Sequence, residues 1–354
     1  MKDTPIDSSP KDSGGGGSND PSNRDDDILV RVGLLPPGHQ PLHLAQREDN
    51  EKTSIVIRYV EDVDEFRQLS ELRRKGWEST DGDKAFQTQR QRADNLAQDV
   101  SKFNYDLMGK IANELHLVTG AFKMTPGGPK KKGRVLDLCA APGGFLNTAM
   151  RLNSGCDAMG FSLDPKEGGY SNLLSPFRKR CMKFLDVTML AADMGVAEDE
   201  IPIDHPDADK FLPRQIEQGD YYDLVLCDGN VLRTQDRSSG AGKPSGASSD
   251  DNDSSKNTNK TYRDLYENYR LKYVQLALGL EHLQPGGTMV VLLHKVEMWN
   301  TLCTIRRFAR FSDRVHLYKP RVSHTTRSSF YMVAQGVNSA HPDAVAAVAK
   351  WKAV

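Results

Sequence analysis

The stretch VLDLCAAPGGF, Val135 to Phe145, decides the fold. An apolar run ends in an acid, Asp137, and then turns through small residues, a proline and two glycines into the helical texture of NTAMRLN. That pattern is strand, tight turn, helix. Open α/β sheets meet their ligands outside the carboxyl ends of the strands, which is where Asp137 stands. Gly143 and Gly144 carry no Cβ and so let the backbone approach a ligand. The first N–H groups of the following helix are free to bond an anionic group. Asp137 suits an ammonium group, directly or through water. The spacing is not the GxGxxG of a dinucleotide site, so a pyrophosphate is not the expected ligand. Glycines placed only for packing are the plainer alternative. The coincidence of acid, small run, proline and Gly-Gly argues against it.

Outward from this motif, strands and helices alternate. CDAMGFSL, MKFLDVTML and YYDLVLCDG supply three further strands. A long helix spans about 262–283, and Gln284-Pro-Gly-Gly ends it before the strand TMVVLLHK. A helix near 298–309 and the strands RVHLYK and SFYMVAQG follow. Alternation of this kind predicts an α/β fold with a mainly parallel sheet covered on both faces. The last two strands have no long helix between them, which predicts antiparallel pairing at one edge. Before the motif, ILVRVGLL and SIVIRYV read as strands, and stretches near 62–78, 84–102 and 103–118 read as helices.

Composition bounds the rest. The 354 residues are 38% hydrophobic and 27% charged, with a net charge of −1. Residues 1–27 hold seven Asp against three Lys or Arg, and without them 44 basic residues face 41 acidic ones. The balance excludes a strongly basic coat protein and permits a nucleic-acid partner. Five cysteines without a CxxC pair read as reduced thiols in an intracellular protein, in cytoplasm or nucleus, with no zinc site. No run approaches the roughly 18 apolar residues of a membrane span, and the N-terminus lacks the apolar core of a secretory signal. The tail 1–27 and the segment 236–260 have too little to bury and are expected to be disordered.

Asp-Leu-Cys-Ala-Ala-Pro-Gly-Gly-Phe, together with ELHLVTGAF and LNTAM around it, resembles the first motif of the FtsJ-like (RrmJ-type) RNA ribose 2′-O-methyltransferase family, as found in fungal FtsJ-domain proteins. The resemblance covers about residues 100–337. It implies a Rossmann-like methyltransferase fold, S-adenosylmethionine as cofactor and RNA as partner. It divides the chain into a tail (1–27), an extension of strands then helices (28–125), a methyltransferase domain (126–337) and a C-terminal helix or tail (338–354). The implied cofactor residues are Asp137, Ala141, Pro142, Gly143, Gly144, Phe145 and Asp228. Ser162, Asp164 and Asp186 fall where the family holds adenosine. Asp186 as a helix cap is the competing reading.

Methylating a ribose hydroxyl requires its proton to be removed or strongly polarised, with oxygen, methyl carbon and sulfur in line. A lysine serves as base when burial or neighbouring cations lower its pKa. The resemblance assigns this chemistry to Asp228, closing LVLCDG, and Lys295, closing VVLLHK. Lys110 of the helix before the motif completes the set, with Lys102 as the alternative. A Lys snorkelling from a sheet edge or a solvated helix face is the bland reading of these lysines. The family reads Ser-Ser-Glu before its last strand, and here Phe330 follows Ser328-Ser329 in the place of that Glu. Glu297 is the one nearby acid offered as a substitute.

Two rivals follow. Enzymes that methylate cytosine C5 need a nucleophilic Cys beyond the fourth-strand acid; here Cys227 precedes Asp228 and points away by strand alternation. A methyltransferase fold that binds cofactor or RNA without turnover is the other, favoured by the missing Glu. RNA phosphates would fall to Lys130–Lys132, Arg178–Arg180, Arg306, Arg307, Lys319, Arg321 and Arg327.

Overall fold

The computed structural model describes residues 27–35, 44–82, 84, 88, 98–126, 131–205, 207–230 and 262–353. The tail up to residue 26, the segment 236–260, Lys130 and most of the stretch 84–102 lie outside them. The chain divides into two units, residues 1–83 and 84–354.

The first unit is helical where strands were expected. Residues 27–31 are helical, and α1 (Leu44–Val60) and α2 (Asp64–Glu78) follow. SIVIRYV forms the last two turns of α1. Its β-branched residues favour a strand in isolation, but the preceding LAQREDNEKT is rich in helix formers. The buried positions among the described side chains of α1 are Asp49, Asn50, Thr53, Ser54 and Ile57, which keep helical spacing and leave Ile55 and Tyr59 exposed. Likewise ILVRVGLL turns after one helical segment, burying Leu29, Val32 and Leu34. The Trp77 indole donates to the Gly33 carbonyl at 3.0 Å.

The second unit is built on a seven-stranded sheet. Its strands are β1 (Arg134–Asp137), β2 (Asp157–Ser162), β3 (Met182–Phe184), β4 (Tyr222–Cys227), β5 (Leu283–His294), β6 (Ser312–Tyr318) and β7 (Ser329–Val337). The order is β3-β2-β1-β4-β5-β7-β6. β1 to β5 pair in parallel, and β7 runs antiparallel between β5 and β6. The order reverses between β1 and β4, the switch point at which such sheets bind ligands. The helices are α3 (Gln98–Thr119), α4 (Gly144–Leu152), α5 (Tyr262–Glu281), α6 (Trp299–Phe311) and α7 (Pro342–Lys352). The division at Asp83 joins α3, read above as part of the extension, to the sheet.

Alternation along the strands splits the core in two. Leu136, Val225, Val291 and Phe330 pack with α5, α6 and α7. Val135, Leu224, Val290 and Tyr331 pack with α3 and α4. Both faces are dry, which is why β1 and β4 read as unbroken apolar runs. Gln284-Pro-Gly-Gly opens β5 instead of preceding it, with a register shift against β4 and Gly286 at φ +86°.

Candidate active site

β1 and β4 are neighbours and end side by side, so their terminal acids meet at the switch point. Asp137 is 1% exposed, and the Cys139 backbone N–H donates to its Oδ1 at 3.2 Å. Burial pushes its pKa up to about 8, and the charge of Asp228 pushes the same way. Burial likewise raises Asp228 to about 7, opposed by the Tyr331 hydroxyl, which donates to its Oδ1 at 2.5 Å. Two carboxyls held out of water, with no cation bonded to either among the described residues, form an acceptor pair prepared for a positively charged donor.

One pocket is lined by Asp137, Ala141, Pro142, Gly144, Phe145 and Asp228, all picked out from the sequence. Met108 of α3, Cys139 and Ala140 complete its lining. None was legible: Met108 is one of many apolar residues on an amphipathic helix, and its role depends on where that helix packs. Burial and Asp137 hold the Cys139 thiol well above its usual range, which favours its neutral form. Cys227 is buried on the opposite face, with its thiol near the Gln275 carbonyl at 3.4 Å.

The glycines of the turn also carry a packing constraint. A Cβ on Gly144 would lie 2.4 Å from the Tyr105 carbonyl oxygen and 2.7 Å from the Met108 Cβ. Its bareness admits α3 against the start of α4, at a position that also lines the pocket. Gly143 has φ +113°, which L side chains rarely adopt, and a Cβ there would meet Leu174 at 2.9 Å.

The remaining nominated residues are spread along the same sheet edge. Ser162 ends β2, is 8% exposed, and its carbonyl accepts from Leu185 N–H at 2.7 Å. Asp164 accepts from Lys166 N–H at 2.8 Å and caps a 3-10 turn. Asp186 accepts from the Thr188 backbone at 2.9 Å and its hydroxyl at 2.7 Å, capping another. Neither of these acids lines the pocket around Asp137.

Lys295 follows β5 and is tied into the sheet edge. Its N–H donates to the Ser328 carbonyl at 3.0 Å, and its carbonyl accepts from Met298 at 3.0 Å. Its φ of +46° is the left-handed value that costs a non-glycine residue about 1–2 kcal/mol. Glu297, two residues on, is 7% exposed. Lys102 and Lys110 are both exposed on α3, and neither lines the pocket.

Phe330 is 8% exposed in the cluster beneath α5 and α6, on the face away from Asp228. Its neighbours Ser329 and Tyr331 take the other face. Ser329 pairs with His294 of β5, and its hydroxyl lies 2.7 Å from His324 Nδ1. The strand period therefore removes Phe330 from the place of a reacting acid. Of the nominated phosphate ligands, Lys131, Lys132, Arg180, Arg306, Lys319, Arg321 and Arg327 are exposed, whereas Arg178 is half-buried and donates to Asn147.

Residues 115–337 match the FtsJ-like methyltransferase family. A cap-specific mRNA (nucleoside-2′-O-)-methyltransferase of Autographa californica nuclear polyhedrosis virus is 25% identical over 198 residues, which is 56% of this chain and 62% of the viral protein. The chain thus spans less than two thirds of that relative. Among solved structures, an O-methyltransferase family protein from Burkholderia thailandensis aligns over 68% of this chain and 60% of its own, with 12% identity and a TM-score of 0.32. A Plasmodium falciparum protein described as a ribosomal RNA methyltransferase aligns over 64% and 96%, with 15% identity and a TM-score of 0.31.

Proposed function

Because the chain belongs to the FtsJ-like methyltransferase family, we propose that it uses S-adenosylmethionine to methylate a ribose 2′-hydroxyl of RNA. The observation that carries the reading is the pair of buried acids, Asp137 and Asp228, ending adjacent parallel strands beside a Pro-Gly-Gly turn. The residues fit the cofactor: two carboxyls raised by desolvation gain most from an ammonium or sulfonium neighbour, and α4 offers free N–H groups to a carboxylate. Ser162, Asp164 and Asp186 mark the adjacent strand ends that the adenosine would occupy. Bound there, S-adenosylmethionine supplies an electrophilic methyl group.

The chain's own residues supply the rest. Lys295, fixed through backbone bonds to Ser328 and Met298, is the proposed base for the ribose hydroxyl. Asp228 orients the donor end of the site and is itself oriented by Tyr331. Lys110, or Lys102 in its place, reaches from α3 toward the substrate. Lys319, Arg321 and Arg327, exposed between β6 and β7, hold phosphates without reading bases, whereas Lys131 and Lys132 precede β1 at the opposite end of the sheet. Among the described residues no helix is long and apolar enough to cross a membrane.

Incubation with tritiated S-adenosylmethionine and total RNA, then nucleoside analysis, tests the reading. A labelled 2′-O-methylnucleoside is the expected product. Lys295→Ala should abolish transfer and leave cofactor affinity unchanged, because its interaction is realised in the transition state. Arg at 295 should not rescue, since a guanidinium does not give up its proton. One observation favours a second reading, in which cofactor and RNA bind without turnover. β7 turns Ser329 and Tyr331, and no carboxylate, toward the site. Cofactor binding with no methyl transfer to any RNA would select it.

A further inference from the structure

α5 runs through the core with Val274, Leu276, Ala277, Leu278 and Leu280 buried. Gln275 stands among them and is 3% exposed. An amide withdrawn from water is costly unless its hydrogen-bonding groups find partners. Here the oxygen and both amide hydrogens are engaged. Oε1 accepts from the Gly229 N–H at 2.8 Å, and Nε2 donates to the Gly229 carbonyl at 3.1 Å and to the Leu271 carbonyl at 3.1 Å. Two of the three bonds go to one residue, so the amide pairs with Gly229 as a neighbouring strand would. The third returns to the backbone of α5 and fixes the side chain's direction.

Gly229 follows Asp228 directly, and Cys227 precedes it. The Cys227 thiol lies 3.4 Å from the Gln275 backbone carbonyl, so both chain neighbours of Asp228 are tied to one residue of α5. Gly229 is also a meeting point. A Cβ there would stand 2.2 Å from the Cys139 Sγ and 2.8 Å from both Nε2 and Oε1 of Gln275. Cys139 belongs to the turn after β1, and its N–H donates to Asp137. The Gly229 peptide is thus enclosed between the turn that serves Asp137 and the amide that grips the end of β4.

We infer that Gln275 is a positioning residue for the candidate cofactor site: by holding the Gly229 peptide it fixes where the Asp228 carboxyl stands relative to Asp137. The inference rests on the functional reading above and adds to it a residue that does not itself line the pocket. An apolar side chain of the same volume would fill the core equally well, but would leave the Gly229 N–H and carbonyl without these partners. Tyr331 bonds one oxygen of the Asp228 carboxyl and does not hold the backbone beneath it. Without the amide, the Gly229 groups must turn to water. This has a consequence for titration. The titratable groups around Asp228 are Asp137 of β1, Tyr331 of β7 and the thiols of Cys139 and Cys227. Burial is the larger cause of the raised Asp228 pKa, and the Tyr331 bond is the smaller, opposing one. A released strand end admits water and loosens that bond. The larger cause decides, and the pKa falls.

The test compares the full-length wild type with Gln275→Met, which keeps the volume and removes the amide, and with Gln275→Glu, each well below its unfolding midpoint. The Asp228 titration is followed in the cofactor-free proteins by carboxyl carbon NMR, assigned with Asp228→Asn. S-adenosylhomocysteine binding is measured by calorimetry on the same preparations. In Gln275→Met the Asp228 titration should move down by about one pH unit or more, and affinity at pH 7 should fall about tenfold. In Gln275→Glu a protonated carboxyl reproduces both bonds to Gly229, whereas an ionised one cannot donate. Burial keeps that carboxyl protonated at pH 6, so affinity should lie within about threefold of the wild type there and about tenfold below it at pH 8.5. A merely structural amide lowers the unfolding midpoint of Gln275→Met and leaves the titration and affinity of the folded protein unchanged. That result, a titration that moves while affinity does not, or an equal loss in Gln275→Glu at both pH values overturns the inference. If Gln275→Met does not fold, Gln275→Glu decides alone. A wild type that binds no S-adenosylhomocysteine would sink the cofactor reading, and the Asp228 titration would still decide whether Gln275 positions that carboxyl.

Discussion

The hydrogen bond from Tyr331 to Asp228 is the contact on which the acid pair depends. Asp228 carries a pKa of about 7, and without a donor on Oδ1 it would rise further. Tyr331 is 1% exposed and packs against Phe145 at 5.7 Å, so its ring has little freedom to leave. Tyr331→Phe keeps the ring and deletes the donor. A hydrogen bond to a charged group contributes about 1.5–3 kcal/mol, so cofactor affinity at neutral pH should fall roughly tenfold. Calorimetric titrations with S-adenosylhomocysteine should recover much of the loss at pH 9, where Asp228 ionises unaided. An affinity unchanged at pH 7 would show that Asp228 does not need to be charged. Phe330 makes the complementary case. From the sequence, Phe330→Glu restores a missing acid; in the fold it buries a lone carboxylate in the cluster with Leu293 and Met332. Its expected result is a loss of several kcal/mol of stability by urea unfolding, with no gain in turnover. An increase in rate in a protein of wild-type stability would contradict the strand's facing.

Elements explain why the motif was legible and part of its meaning was not. The order of strands and helices after Gly133 follows from apolar runs separated by turn residues, and the acids at the ends of β1 and β4 follow from where those runs stop. Helix packing does not follow, because it depends on which side of α3 meets the turn. Gly144 lies against Tyr105, Met108 and Gly109 of that helix, a contact nothing in the local sequence announces. For the same reason the place of Met108 in the pocket lining cannot be read from the amphipathic pattern of α3. A Cβ at 144 would stand 2.4 Å from a backbone carbonyl, and backbone cannot step aside as a flexible side chain can. Gly144→Ala should therefore cost about 3 kcal/mol or more, lowering the unfolding midpoint by roughly 5–10 °C in a domain of this size. Differential scanning fluorimetry with and without cofactor separates the two meanings of this glycine. A full-stability variant that fails only in cofactor binding would return it to the ligand.

At the scale of the whole molecule, the two units were legible to different degrees. In the second, dry faces on both sides of the sheet turn β1 and β4 into continuous apolar runs, and such runs identify themselves. In the first, the composition of SIVIRYV points to a strand, while the helix is set by the helix-favouring residues ahead of it. The second unit also concentrates its electrostatic cost in one place, and this has a consequence for the stability of the entire fold. Asp137 and Asp228 have folded-state pKa values of about 8 and about 7, raised first by burial, and they titrate as a coupled pair. In the unfolded chain both would titrate near the ordinary carboxylate value of about 3.9. Between those limits the folded state binds more protons than the unfolded one, so stability falls as pH rises from about 4 to about 8 and is level above. Other groups add their own slopes, and the contribution of the pair is isolated by Asp137→Asn, which keeps the shape and removes one titration. Urea unfolding of the cofactor-free protein from pH 5 to 8.5 should lose less stability in Asp137→Asn than in the wild type. A cationic ligand removes the penalty, so the rise in unfolding midpoint given by saturating S-adenosylmethionine should grow across pH 6 to 8 in the wild type. Parallel stability curves for the two proteins, or a cofactor effect independent of pH, would mean that the pair is already ionised in the empty protein and that burial does not govern this site.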